Sequence, residues 1–446
     1  MRKLSLIVVI ILSFNSLIFS QKLKTEVWDN NQKAIEGNLV NDTVRDGKWT
    51  WWYKNGQTWK EGVYNNGKKT GKWLAFYEDG KKQSEEFIEN GVNVFWYNNE
   101  QKKSEVKIIN SKYEGQYLSW YDNGNKKEES FYKDGLKQGK SVTWFEDGTK
   151  SFEGSYIDDK LFGWSVWWYK NGNKEMEGKM IDDQQDSSWV FYHDNGKVGS
   201  KGKFIKGLQE GLWVYYFEDG TKWREGKYKN GKRTDVWTSW YENGQKLHQG
   251  TYVEGKEDGE WTNWYKNGKV KDIGSFKAGK MDGKWEGWYE NGRKKYETHY
   301  SNDIKNGADI FWFDNGIKKT EGSFKKGKKD VKWIERYDTG IKISEGNYKE
   351  NEKDGMWVFF DKYGSKYKEQ NFINGRPDGK WIEYYQNGKK SGEGFFIKQT
   401  KDGVWQYWDQ KGNIIYKVIY SKGRKVSESK PAEEKRKQKT DDSIIK

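Results

Sequence analysis

The sequence predicts an all-β protein, an elongated, solenoid-like, single-layer antiparallel meander of about sixteen β-hairpin repeats of 24 residues each. Composition, a fixed period and residue alternation predict it. The chain has 27 Trp, 29 Tyr and 21 Phe, which leaves few aliphatic residues for a conventional core. Its 51 Gly, frequent Asn-Gly pairs and only 2 Pro are typical of short strands joined by tight turns.

The period is measured between recurring turn positions. Sequence similarity between segments at a fixed period indicates a repeat architecture. Fourteen of the fifteen intervals are 24 residues, and the interval of 20 residues after Gly80 shortens a connection at 91–93 without inverting strand faces. The turn positions are Gly56, Gly80, Glu100, Gly124, Gly148, Gly172, Gly196, Gly220, Gly244, Gly268, Gly292, Gly316, Gly340, Gly364, Gly388 and Gly412.

One unit illustrates the predicted hairpin: residues 49–54 form a strand, Asn55-Gly56 the turn and residues 57–64 the returning strand. Asn-Gly favours a two-residue type I′ turn, because both central residues then need positive φ. This turn predicts three cross-strand pairs, Tyr53 with Thr58, Trp51 with Lys60, and Trp49 with Gly62. A type I turn with a bulge would shift the pairing by one residue.

Alternation along the strands then predicts one almost continuously aromatic face. We expect its rings to cover bare glycine backbone within the sheet, or to form an exposed strip for a protein or a stacking platform for a glycan. The candidate binding residues are Trp49, Tyr53, Tyr64, Trp213, Tyr228, Trp237, Tyr241, Tyr252, Trp261, Tyr265, Trp285 and Tyr289. The other face is expected to carry an aromatic row that includes Trp52, beside a Glu row paired across strands with Lys.

The two ends of the sequence differ from the repeats. Residues 1–20 have a basic start, a short apolar run and small or polar residues before Gln21, which predicts a signal peptide cleaved after Ser20. We therefore expect a secreted, periplasmic or cell-surface protein with its repeat array at 21–420. Residues 421–446 are polar and charged, which predicts a disordered tail. No later segment approaches eighteen apolar residues, so no transmembrane span is expected in the mature chain.

The charge distribution and the scarcity of metal-binding side chains argue against several classes of function. Part of the formal net charge of +14 lies in the leader and the tail, and the repeats alternate Lys with Glu, so no nucleic-acid binding is expected. Cys is absent, the three His stand in different repeats, and no Asp-rich turn has calcium-loop spacing. We predict no metal, no cofactor and no enzymatic activity.

The unit reads Gly-x-Trp-x-x-Trp-Tyr-x-Asn-Gly-x-x-x-x-Glu-Gly-x-Tyr-x-x-Gly-Lys, best seen at 47–68, 211–232 and 259–283. It resembles the bacterial variant of the MORN repeat across residues 28–420. Relatives are often labelled YwqK-type antitoxins, a cytoplasmic role that a signal peptide does not fit. The resemblance implies an interaction role without naming a partner. Positions 93, 117, 141 and 165 lack the first Trp of the pattern.

The predicted function is a non-enzymatic scaffold that binds an unknown protein or envelope component. The alternative is a carbohydrate-binding or cell-wall-binding repeat protein, because other Trp-Tyr hairpin arrays bind cell-wall ligands between repeats.

Overall fold

The computed structural model describes residues 21–430. Within that range all regular structure is β-strand, 37 strands in all, and no helix occurs. This confirms the predicted all-β, antiparallel meander of hairpin repeats. The predicted signal peptide, residues 1–20, and residues 431–446 of the predicted tail lie outside the described range.

The described residues divide into two compact units, the first ending at Leu208 and the second beginning at Gln209. In the first, strands that follow one another in sequence pair antiparallel. Its strands are β1 Gln21–Val27, β2 Lys33–Val40, β3 Val44–Trp52, β4 Thr58–Asn65, β5 Lys68–Phe76, β6 Lys82–Phe87, β7 Gly91–Trp96, β8 Lys102–Ile109, β9 Lys112–Trp120, β10 Lys126–Lys133, β11 Leu136–Trp144, β12 Lys150–Ile157, β13 Lys160–Leu161, β14 Gly163–Trp168, β15 Lys174–Ile181, β16 Gln184–Tyr192 and β17 Val198–Ile205.

The second unit repeats the same meander. Its strands are β18 Leu208–Tyr216, which begins at the unit boundary, β19 Lys222–Lys229, β20 Lys232–Trp240, β21 Lys246–Val253, β22 Lys256–Trp264, β23 Val270–Lys277, β24 Lys280–Met281, β25 Gly283–Trp288, β26 Lys294–Ser301, β27 Ile304–Trp312, β28 Lys318–Lys325, β29 Lys328–Arg336, β30 Lys342–Lys349, β31 Glu352–Phe360, β32 Lys366–Ile373, β33 Arg376–Tyr384, β34 Lys390–Ile397, β35 Thr400–Trp408, β36 Ile414–Ser421 and β37 Arg424–Ser429.

Strand structure extends beyond the boundary predicted at Tyr420. β36 continues through Ser421, and β37 pairs with it from Arg424 to Ser429. The sequence of β37, Arg-Lys-Val-Ser-Glu-Ser, is polar, and it was therefore included in the predicted disordered tail. An edge strand with both faces near solvent needs little apolar sequence, since its backbone hydrogen bonds to β36 hold it in place.

The predicted type I′ turn at Asn55-Gly56 is wrong. Gly56 has a φ of 88°, whereas Asn55 is not among the positive-φ residues, and the Gly56 N–H donates to Tyr53 O at 3.0 Å. This is a three-residue loop, a type I turn followed by a left-handed glycine. It pairs Trp52 with Thr58, so the predicted Tyr53–Thr58 pair is wrong, while the Trp51–Lys60 and Trp49–Gly62 pairs are confirmed.

The type I′ geometry occurs instead at the connections between repeats. Asn66 and Gly67 have φ of 48° and 80°, and they join Asn65 to its partner Lys68. The two ends of each hairpin therefore use different turns, because one closes over three residues and the other over two.

The strands present two faces, which we name by their recurring residues. The glycine–tryptophan face carries Trp49, Gly62, Tyr64 and their counterparts, and the lysine–glutamate face carries Trp52, Glu61 and theirs. A bulge interrupts each long strand, as between Glu61 and Val63 opposite β5. Gly71, inside this bulge, has a φ of 62°, which favours glycine and bends the strand.

Candidate binding surfaces

The tryptophans of the glycine–tryptophan face lie on glycines of the preceding hairpin. Trp49 pairs with Gly62 along the backbone, but its ring covers Gly37, and Trp73 covers Gly62. A Cβ on any of these glycines would come closer than 3.0 Å to the indole. The same arrangement occurs at Gly37, Gly62, Gly178, Gly226, Gly250, Gly274, Gly322, Gly346 and Gly394. Each of these tryptophans thus packs its repeat against the one before it.

A cation covers the other side of six of these rings. The charged group lies 4.2–4.7 Å from the ring centroid and comes from the residue four positions before the tryptophan. These residues are Arg45, Lys69, Arg233, Lys329, Lys353 and Lys401. A cation over the face of an indole is stabilising, and the long side chain also shields the ring from water. This explains how Trp49, only 1% exposed, is buried in a sheet without a second layer.

The strand bulges satisfy several of the buried indole N–H groups, whereas those of Trp73 and Trp405 have no hydrogen-bond partner within residues 21–430. Trp49 Nε1 donates to Asn38 O at 3.1 Å, and Trp237 Nε1 donates to Lys227 O at 3.0 Å. Each acceptor follows the glycine under the ring, where the strand register shifts. The bulge therefore frees a carbonyl group that the buried indole needs.

In many repeats a tyrosine beside the three-residue turn joins one hairpin to the next. Tyr53 donates its hydroxyl hydrogen to Phe76 O at 3.0 Å, and Tyr289 donates to Trp312 O at 2.7 Å. Burial raises the pKa of both phenols, so they remain protonated donors at neutral pH. Asn55 adds a parallel bond from Nδ2 to Glu78 O at 2.8 Å, while its Oδ1 accepts from the N–H of Gln57.

The twelve sequence-predicted binding residues therefore occupy packing positions. Of these, Trp49, Tyr64, Trp213, Trp237, Tyr252, Trp261 and Trp285 are buried, and Tyr53, Tyr228, Tyr241, Tyr265 and Tyr289 are half-buried. The structure brings several into edge-to-face contact, with ring centroids 5.0 Å apart for Tyr228 and Trp237 and 5.2 Å for Tyr252 and Trp261. Their role in binding stays a prediction, because their contacts are with one another and with neighbouring repeats.

The lysine–glutamate face carries a second aromatic row that alternates with lysines. Lys33 Nζ lies 5.7 Å from the Trp52 ring centroid and 2.6 Å from Glu36, and the same pattern recurs along the chain. Most pairs lie within one strand, three residues apart, and some Glu also bind a Lys across the sheet, as Lys140 binds Glu153 at 2.8 Å. Glu153 thus accepts from two lysines, which hold the pKa of its carboxyl below the usual range.

Sequence reasoning missed the apolar side chains that this face exposes. Eight residues before the turn glycine, some repeats carry a large apolar residue where others carry Lys or Glu. Trp164, Leu212, Val236, Met356 and Val404 occupy this position and are 40–57% exposed. Aligning the repeats with one another would have shown the position as one where apolar and charged residues interchange.

The described range, residues 21–430, contains no group of three His, Asp or Glu side chains arranged to hold a metal ion. It also contains no helix with the length and apolar character needed to cross a bilayer.

Comparison with known proteins identifies the repeat. A family model described as "MORN repeat variant" matches residues 45–66, 69–90, 113–134, 209–230, 236–254, 257–278, 281–302, 377–398 and 401–422. No curated protein matches the chain. The match concerns the repeat and gives no support to the antitoxin label.

Among solved structures, the chain is similar to "Crystal Structure of TcdB2-TccC3", at 10% identity over 90% of this chain and 27% of that one, with a TM-score of 0.14. A Photorhabdus luminescens Tc holotoxin pore gives 10% identity, coverage of 92% and 26%, and a TM-score of 0.15. The chain thus spans about a quarter of these proteins, and such low scores carry no functional argument.

The nine matched segments occur in both units. The unmatched repeat around Gly340 keeps the same three-residue turn, with Gly340 N donating to Tyr337 O, and the same Trp over glycine, Trp357 on Gly346. The chain therefore belongs to the MORN-repeat family, through repeats of the variant type.

Proposed function

We propose that this protein is a non-enzymatic scaffold outside the cytoplasm that binds a protein or an envelope component through the lysine–glutamate face. The observation that carries the proposal is the set of exposed apolar residues on that face, among them Leu212 and Val236, 57% and 50% exposed in consecutive repeats. Exposed apolar residues rimmed by charged side chains are a common feature of protein interaction sites.

The paired charges around these residues support binding rather than catalysis. Glu225 binds Lys222 at 2.8 Å, and Lys227 binds Asp235 at 3.2 Å. Elsewhere on this face, hydrogen bonds from lysines lower the pKa of Glu129 and Glu153, whereas a general acid needs a raised pKa. The export signal predicted at residues 1–20 supports a location outside the cytoplasm.

The test is capture of partners from the parent cell envelope by the full chain and by a double variant, Leu212→Ser with Val236→Ser. We expect the wild type to recover a discrete protein and the double variant to lose most of it, because two apolar contacts are removed without disturbing buried residues. Val404→Ser changes the same repeat position far along the sequence and should leave recovery unchanged. Equal recovery by all three proteins would contradict this assignment of the surface.

Glycan binding is the second candidate function. It is favoured by a cavity on the glycine–tryptophan face, lined by Trp333 and Trp357 together with polar side chains that make no hydrogen bond or ion pair within residues 21–430.

A further inference from the structure

One row of the glycine–tryptophan face varies from repeat to repeat while the rows around it stay constant. It consists of the residue five positions before each turn glycine and its cross-strand partner four positions after it, such as Trp51 with Lys60. In other repeats the pair is Tyr215 with Arg224, Ser239 with His248 or Phe359 with Lys368. Because the neighbouring rows lock adjacent repeats together, this row is free to differ in chemistry.

Where this row is polar, its members usually satisfy one another. Ser239 Oγ lies 3.0 Å from His248 Nε2, and Asn263 donates to Asp272. Such pairing is expected, since partly buried polar groups are costly without hydrogen bonds.

Three consecutive members of the row break this rule. Thr320 on β28, Glu335 on β29 and Ser344 on β30 are cross-strand neighbours. None of their side chains takes a hydrogen bond or an ion pair within residues 21–430, although Ser344 is only 8% exposed. Glu335 lies close enough to Tyr348 to raise, after burial, the pKa of that phenol.

These three side chains line a cavity of about 100 Å³. Its walls are Trp333, Tyr348 and Trp357, and Lys329 lies beside it, 4.3 Å from the Trp333 ring centroid. The indole faces are already taken, because Trp333 lies between Lys329 and Gly322, and Trp357 lies between Lys353 and Gly346. An occupant therefore meets ring edges, which carry partial positive charge and favour an oxygen atom.

The lining also sets the charge and size of the occupant. Lys329 and Glu335 have opposite charges, so they suit a neutral group with both donors and acceptors, and the two hydroxyl groups can serve as either. A dry cavity of about 150 Å³ holds benzene, so about 100 Å³ takes on the order of four or five non-hydrogen atoms. An acetamido group has this size, with a methyl group, a carbonyl oxygen and an N–H.

We propose that this cavity binds a neutral, N-acetylated pyranose residue of a glycan, with the acetamido group inside and the sugar ring at the mouth beside Glu335. A sugar is favoured over a protein side chain because the site offers four polar groups around one small opening. A protein anchor more often fills a pocket that is chiefly apolar. The inference rests on glycan binding, the second candidate function.

The experiment is a titration of the full chain with N,N′,N″-triacetylchitotriose and with maltotriose, following the indole N–H signals of ¹⁵N-labelled tryptophan. We expect saturable shifts of Trp333 and Trp357 with the acetylated sugar alone. Ser344→Val fills the cavity and removes a hydroxyl group, so it should weaken binding at least tenfold. Ser200→Val, at the same repeat position in the first unit, is the matched control and should bind like the wild type.

The outcomes separate the possibilities. No saturable shift with the acetylated sugar, or equal binding by the Ser344→Val variant, would overturn the proposal. Shifts of the same two signals by N-acetylasparagine amide but not by the sugar would assign the cavity to a protein amide and also overturn it. Partner capture through Leu212 and Val236 is a separate measurement on the other face, so either proposal can fail without the other.

Discussion

Gly226→Ala is the sharpest test of how the repeats hold together. A Cβ at this position would come closer than 3.0 Å to the Trp237 ring, so the indole must leave its place. The ring would lose its hydrogen bond to Lys227 O, the Arg233 guanidinium at 4.7 Å and the Tyr228 ring at 5.0 Å.

The local loss of stability caused by Gly226→Ala lies between two limits. A ring that only shifts costs about 1–3 kcal/mol, as in other overpacked cores. Expulsion of the ring destabilises the protein by about 3–5 kcal/mol, as the loss of a buried Trp side chain usually does. Because the indole hydrogen bond, worth about 1 kcal/mol, cannot survive a large shift, we expect a local destabilisation of about 3 kcal/mol.

The assay must be local, because stability in a repeat array is close to a sum over neighbouring repeats. Hydrogen exchange should show lower opening free energies in β19 and β20 and little change in remote strands. In a Trp237→Ala background the same glycine change should cost less than about 0.5 kcal/mol, or stabilise the strand, because the clash is gone. Unchanged protection of β19, β20 and the Trp237 indole N–H in the Gly226→Ala variant would refute the reasoning.

Two further predictions concern the links between repeats and the charged face. Tyr289→Phe removes the 2.7 Å bond to Trp312 O and should lower the opening free energy of β27 by about 1 kcal/mol in the same exchange experiment; no change would mean that water replaces the hydroxyl at no cost. Hydrogen bonds from Lys140 and then Lys150 lower the folded-state pKa of Glu153, so its contribution is present above the usual Glu pKa and is lost as pH falls through the lowered value. Melting temperatures at pH 3 and pH 6 should therefore differ less in Glu153→Gln than in the wild type, and an unchanged difference would contradict the assignment.

The period, the two faces and the Trp49–Gly62 register could be predicted from the sequence because side chains alternate strictly along a strand. The turn type could not, since Asn-Gly fits both a type I′ turn and a type I turn with a left-handed glycine. The deciding contact, Asn55 Nδ2 to Glu78 O, lies 23 residues away in the next repeat. A hairpin considered alone gives no sign of it.

The sequence does contain a pattern that could have predicted the cations over the tryptophans. A Lys or Arg stands four residues before Trp in six repeats, as Lys329 does before Trp333. Four residues along a strand return a side chain to the same face, so the spacing is compatible with contact. The bulge between them bends the strand and brings the cation over the ring, and bulges are hard to place from sequence.

The regular part of the array leaves little for a ligand. Its indoles lie between glycine and a cation, its tyrosine hydroxyls bond to the next hairpin, and its glutamates bind lysines. Recognition is then expected where a residue departs from the pattern without a compensating partner, as Leu212 does on one face and Ser344 on the other. Because such residues do not hold repeats together, their substitution should change binding while costing little stability, whereas changing Gly226 should do the reverse.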